Sequence, residues 1–350
     1  MNRIYNTVLK ALGCAAVALV LGACDLFDTA VEPLELVEGN IARDNPELYA
    51  AYLTNLKAYK ASDHVLVYTW FRNDIEKPFS RSHHFTMVPD SVDYIAPMTP
   101  ETLPDWQRGE MVSVRSEKGT KFLYTIDFDA IKAAYNAMME LDEENEPTHE
   151  GFQQFLTDRL QSNFEAFDRY TAVYDGIVIG YQGKGILHMT PAQLKEYKAN
   201  ENLFLGMVGG WIANHPDKEY TFMGKPQNVL DPSLFVNAKS LILNQGMDAA
   251  NPNAFDFYVR MSMGDGVPND KFGMVAYTPT SNPIDPTRKG YITDDTFVVD
   301  VMADWAATRR EGFTINSIAL YDINEDYYTN PSMIFYHTRY AINTVNPAIK

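Results

Sequence analysis

From about residue 64 onward the chain alternates short runs of β-branched and aromatic residues with longer stretches whose apolar residues recur every three or four positions. Eight such runs are predicted as strands: His64–Trp70, Ser91–Ala96, Lys121–Ile126, Val173–Tyr181, Glu219–Met223, Lys239–Leu243, Lys271–Tyr277 and Ile315–Tyr321. Between them, Asp129–Leu141 is alanine-rich with helical spacing, and Gly151–Tyr170 places Phe152, Phe155, Leu156, Leu160, Phe164 and Phe167 on one stripe. Strands separated by helices predict parallel pairing through crossovers. The expected closure is an α/β fold of the (β/α)8 TIM-barrel type, in which sites lie at the C-terminal ends of the strands.

The N-terminus follows a different pattern. Arg3 and Lys10 precede an apolar run, Ala11–Leu21, which leads to Leu21-Gly22-Ala23-Cys24. A basic start, a short apolar core and small residues before the cut make a secretory leader. The run falls short of the roughly 20 apolar residues that span a bilayer. The tetrad resembles the bacterial lipobox, whose cysteine is acylated and becomes the new N-terminus. The expected organisation is a signal peptide over 1–23, an acidic tether over 24–45 and a barrel domain over 46–350. Cys14 leaves with the leader, so the mature chain keeps only the lipidated Cys24, which excludes disulfides and thiol catalysis. The expected localisation is the outer membrane, held through that lipid, and Asp25 and Asp28 form a partial acidic export signal that points to the cell surface.

Charge narrows the partners. The formal charge is -17, and losing Arg3 and Lys10 makes it more negative by two. A field of that sign repels phosphate backbones, so no nucleic-acid partner is expected. Aromatic residues make up 13% of the chain; most must fill the core, yet enough remain to offer flat faces to sugars. No cofactor is expected. His83-His84 lacks the third ligand a metal site needs, and Gly183-Lys184-Gly185 lacks the spacing of a phosphate loop.

The fourth run carries the chemistry. Asp175-Gly176-Ile177-Val178-Ile179-Gly180-Tyr181-Gln182 resembles the D-G-x-D-x-D-x-E signature of glycoside hydrolase family 18. In that family the glutamate protonates the glycosidic oxygen, and the preceding aspartate orients the substrate's 2-acetamido group, which attacks the anomeric carbon. Residues two apart on a strand share a face, so positions 178, 180 and 182 would point into the barrel mouth. Here they hold Val178, Gly180 and Gln182, and a glutamine amide has no transferable proton near neutral pH. From about Pro46 to the end the order of segments resembles family 18-like lipoproteins of Bacteroidetes-type glycan-utilisation systems. Supporting pieces include Ser91-Val92-Asp93-Tyr94, Gly119 to Tyr124, Gly224 to Asn228 and Ala319 to Asn324.

That resemblance implies an oligosaccharide containing N-acetylglucosamine as ligand and an outer-membrane glycan importer as a possible partner, with the departures arguing against turnover. Candidate ligand-binding residues are Trp70, Asp127, Asp175, Tyr181, Gln182, Gln227, Asn244, Tyr277 and Tyr321, most of which follow or end successive strands. Trp70 is equally read as core, and Asp127 as the N-cap of the helix after the third strand. Two other functions stand beside glycan binding. One is an endo-β-N-acetylglucosaminidase or chitinase-like glycosidase using carboxylates such as Asp127, Asp175 or Asp265, and the other is a structural subunit of a glycan-uptake complex.

Overall fold

The eight runs form a closed parallel barrel in the computed structural model, which describes residues 44–141, 146–244, 251–282 and 284–348. The leader, Cys24 and nearly all of the expected tether lie outside the described residues. In chain order the strands are β1 Leu66–Phe71, β2 Tyr94–Pro97, β3 Lys121–Asp127, β4 Gly176–Tyr181, β5 Glu219–Gly224, β6 Leu241–Leu243 and β7 Phe272–Tyr277. A small antiparallel pair follows, β8 Tyr291–Thr293 with β9 Thr296–Phe297, and β10 Ile315–Tyr321 then closes the barrel between β7 and β1. The residues from Ala51 onward cluster as one compact unit that contains the whole barrel.

Helices cover the outside: α1 Pro46–Ala61, α2 Asp105–Lys118, α3 Phe128–Glu140, α4 His149–Arg169, α5 Pro191–Asn214, α6 Pro252–Ser262, α7 Val298–Ala307 and α8 Tyr336–Val345. Their ends are written in the sequence. Thr148 caps α4 by accepting from the Gly151 N–H, and Thr190 forms a reciprocal capping box with Gln193, followed by Pro191 at the first helical position.

The two-residue period divides the strands between two cores. Outward residues such as Phe71, Phe122, Tyr124, Ile177, Ile179 and Phe222 pack against the helices in the larger one. Inward residues Tyr68, Trp70, Tyr94, Leu123, Val178, Met223, Ile242, Val275 and Ala319 fill the barrel. Tyr68 stacks on Tyr94 at 4.5 Å, and its hydroxyl lies 3.1 Å from Thr221 Oγ1 and 3.3 Å from Ser240 Oγ. The lower lumen is therefore a packed layer in which the Tyr68 hydroxyl is satisfied and the Ser317 hydroxyl is buried without a partner.

Candidate functional site

At the C-terminal ends of the strands, inward residues stop filling the lumen and line a cleft. Trp70 from β1, Thr125 and Asp127 from β3, Met223 from β5 and Tyr321 from β10 converge there with Met98, Glu101, Arg159 and Asn163 around a cavity of about 300 Å³. Trp70 is 2% exposed and stacks on Tyr321, with ring centroids 5.9 Å apart and planes 19° from parallel. Tyr277 meets the edge of Tyr321 at 5.3 Å, and the Lys289 ammonium lies over the Tyr277 ring. Burial, with help from Tyr277, Asp127 and Asp322, pushes the Tyr321 phenol up to about 12, so it stays a neutral hydrogen-bonding group at physiological pH.

Asp127 has two roles that sequence alone left as alternatives. Its Oδ1 accepts from the Ala130 N–H at 2.8 Å and caps α3, while the same side chain lines the cleft. Burial raises the pKa of this carboxyl and the nearby Asp129 carboxylate adds to the effect, against the backbone donors at the start of α3. Two residues earlier on the same face, Thr125 Oγ1 is buried without a hydrogen-bond partner. An unpaired buried hydroxyl costs free energy unless something donates to it or accepts from it.

The motif strand supplies no carboxylate. Val178 belongs to the barrel core, and Asp127 pairs with Gly180 across β3 and β4. A Cβ added to Gly180 would lie 2.6 Å from Asp127 Cγ and 2.8 Å from its Cβ, closer still to Oδ2. The Asp127 side chain thus occupies the volume a residue at 180 would need. Gln182 follows the last residue of β4; its N–H donates to Asp129 Oδ2 at 2.8 Å and its carbonyl accepts from Asn228 Nδ2 at 2.8 Å.

Three expected site residues, Trp70, Asp127 and Tyr321, line this cleft, and Tyr277 adjoins it. The other five, Gln182 among them, are not part of its lining, and the assignment of Asp175 and Tyr181 to it is corrected. Asp175 precedes β4 at the opposite end of the barrel, where its oxygens accept from Arg115 Nε at 2.9 Å and Nη2 at 2.7 Å, and from the Phe122 N–H at 2.9 Å. Tyr181 points outward, because odd positions of β4 face the helices; its hydroxyl donates to Glu201 Oε2 at 2.6 Å beside Tyr197. Gln227, in a short 3-10 turn after β5, and Asn244, just after β6, are half-buried and do not line the cleft around Trp70. Asp265, named with Asp127 and Asp175 as a carboxylate for catalysis, is exposed and likewise outside that cleft. Thr125, Met98 and Met223 were not foreseen. Thr125 and Met223 were legible in principle, since strand alternation puts Thr125 on the face of Asp127 and Met223 at the upper end of its strand.

A family model for glycoside hydrolase family 18, BT1044-like, matches residues 29–344. The chain belongs to this family. Among solved structures, a selenomethionine form of BT1044 with one glutamate-to-glutamine substitution is similar at 18% identity, covering 89% of this chain and 97% of the other, with a TM-score of 0.59. The apo endo-beta-N-acetylglucosaminidase from Cordyceps militaris is similar at 17% identity, covering 85% and 96%, with a TM-score of 0.52. At these identities the likeness is one of fold, and it agrees with the closed barrel of this family 18 member. No curated protein matches the chain in sequence.

Proposed function

We propose that this family 18 chain binds oligosaccharides containing N-acetylglucosamine and does not cleave them, acting as a lipoprotein tethered through Cys24 at the outer membrane. The observation that carries the reading is the inward face of β4 and its exit, which hold Val178, Gly180 and Gln182 where the family's signature has carboxylates. General acid catalysis contributes a factor of about 10² to 10⁴, and Gln182 has no proton to give. The cleft retains what binding needs: the Trp70 and Tyr321 rings, the Asp127 carboxyl and the unpaired Thr125 hydroxyl. The ligand class is supported by the family and by the endo-beta-N-acetylglucosaminidase that shares the fold. Attachment to an outer-membrane glycan importer would fit such a role.

The test pairs calorimetric titration of the purified protein against N-glycan core oligosaccharides with mass spectrometry of the same samples after long incubation. Micromolar to millimolar binding with intact glycan is expected, because sugar hydroxyls exchange water contacts for protein contacts at small net gain. One observation favours the runner-up, a working glycosidase: Asp127 is a buried carboxyl of raised pKa inside the cleft, the condition of a general acid. Cleavage products that disappear in Asp127→Asn would establish that reading. The tether has its own test. Among the described residues no helix is long and apolar enough to cross a membrane, so Cys24→Ala is expected to release the protein from the membrane fraction, and continued sedimentation after a high-salt wash would refute the anchor.

A further inference from the structure

We propose that Asp127 is the acetamide-recognising carboxylate of this barrel, moved one strand over: it stands in the volume left open by Gly180 and accepts the N–H of a ligand's 2-acetamido group. The inference rests on the glycan-binding reading and adds the residue that selects the sugar. Its basis is steric. Asp127 and Gly180 are register partners on adjacent parallel strands, and a Cβ at 180 would overlap the Asp127 side chain. A carboxylate can therefore come from β3 or from β4 at this height, but not from both. The chain has placed it on β3.

The surroundings fit an acetamide better than a hydroxyl. An acetamido group presents an N–H donor next to an apolar methyl, so its complement is an acceptor beside an apolar wall. Asp127 supplies the acceptor, with one oxygen anchored by the Ala130 N–H, and Trp70, Met98 and Met223 of the same cleft supply the wall. Anchoring one oxygen to a helix N-terminus fixes the direction of the other, so little orientational entropy remains to be lost on binding. Thr125 Oγ1, without a partner beneath it, is available to a ring hydroxyl or the acetamide carbonyl.

Two disaccharides test this, N,N'-diacetylchitobiose and cellobiose, which differ in carrying acetamido or hydroxyl groups at the 2-positions. The purified protein is expected to bind the first and to discriminate against the second. Asp127→Asn keeps a side chain that caps helices well, so the fold should persist while affinity for diacetylchitobiose falls about ten-fold or more, the usual scale for a hydrogen bond to a charged acceptor. Asp127→Gly combined with Gly180→Asp returns the carboxylate to β4 and is expected to recover affinity that Asp127→Gly alone has lost; a purely structural role for Asp127 predicts no recovery. Equal binding of the two sugars by the unmodified protein, unchanged affinity in Asp127→Asn, or a folded double variant no better than Asp127→Gly would each overturn the assignment. Unmodified protein that binds neither these disaccharides nor larger N-glycan oligosaccharides would instead remove the glycan-binding reading itself, and this inference with it.

Discussion

Single residues decide what this barrel can do, and Gly180 is the most instructive. Gly180→Asp with Gln182→Glu would return two of the three missing signature carboxyls and leave Val178 in place, yet the new side chain at 180 would collide with Asp127 and set two carboxylates against each other. Overpacking of this kind costs about 1–3 kcal/mol. The double variant is expected to melt several degrees lower and to show no turnover; adding Asp127→Gly should remove the melting penalty. Thermal melts of the two variants side by side check this, and equal melting temperatures would show that Asp127 swings away freely. Asp175 makes the opposite case. It looks like part of the signature, but it holds Arg115 and the Phe122 N–H at the far end of the barrel. Asp175→Ala should cost about 2 kcal/mol, given that charge-assisted hydrogen bonds contribute about 1.5–3 kcal/mol each and this pair is partly solvated, while sugar affinity in the folded protein stays unchanged.

At the scale of elements, the pattern of apolar runs was sufficient for all eight barrel strands, because a strand buried on both faces has a short, dense hydrophobic signature bounded by polar residues. The ends were less legible. The fourth run was expected from Val173, yet β4 begins only at Gly176, since Val173 and Tyr174 close the turn after α4 through bonds to the Tyr170 carbonyl. Gly176 belongs to the motif, and its physical reason lies in the neighbouring strand: a Cβ there would sit 2.7 Å from the carbonyl carbon of Glu219 and nearer still to its oxygen. Gly176→Ala must therefore push β5 away, and is expected to lower expression or melting temperature more than any exposed substitution in α4. The outward turn of Tyr181 follows from the same two-residue rule that places Val178 and Gly180 inward. Nearness to the strand end does not decide which way a side chain faces; the parity of its position does.

For the whole molecule, paired charges at the base of the barrel contribute to the pH dependence of stability. Asp93 hydrogen-bonds His64 at 3.1 Å and, despite some burial, raises its pKa. A raised histidine contributes stability that is complete below its unfolded value near 6.5 and is lost as pH rises through the folded value. Burial pushes Glu219 up, but hydrogen bonds from Lys121 at 2.5 Å and Tyr94 at 2.7 Å outweigh it and hold the carboxyl below its usual range. That contribution is present above the ordinary 4.5 and fades as pH falls through the lowered value. Together these two pairs favour a stability maximum on the weakly acidic side. Melting temperatures across pH 4–9 are expected to decline toward the alkaline end in the unmodified protein and less so in His64→Gln; identical slopes would assign the decline to other groups.

The hydrogen bond between Asp127 and the Ala130 N–H also turns one backbone amide into a spectroscopic probe of the cleft. An amide proton bonded to a carboxylate moves in frequency when that carboxylate gains a proton or turns toward another donor. In a nitrogen–proton correlation spectrum, the Ala130 resonance should titrate with an apparent pKa above the ordinary aspartate range, following the direction that burial imposes. The same resonance should shift during a sugar titration, because Ala130 and the Asp127 carboxyl line the same cleft. Occupancy of the cleft can thus be followed at a single atom without labelling the glycan.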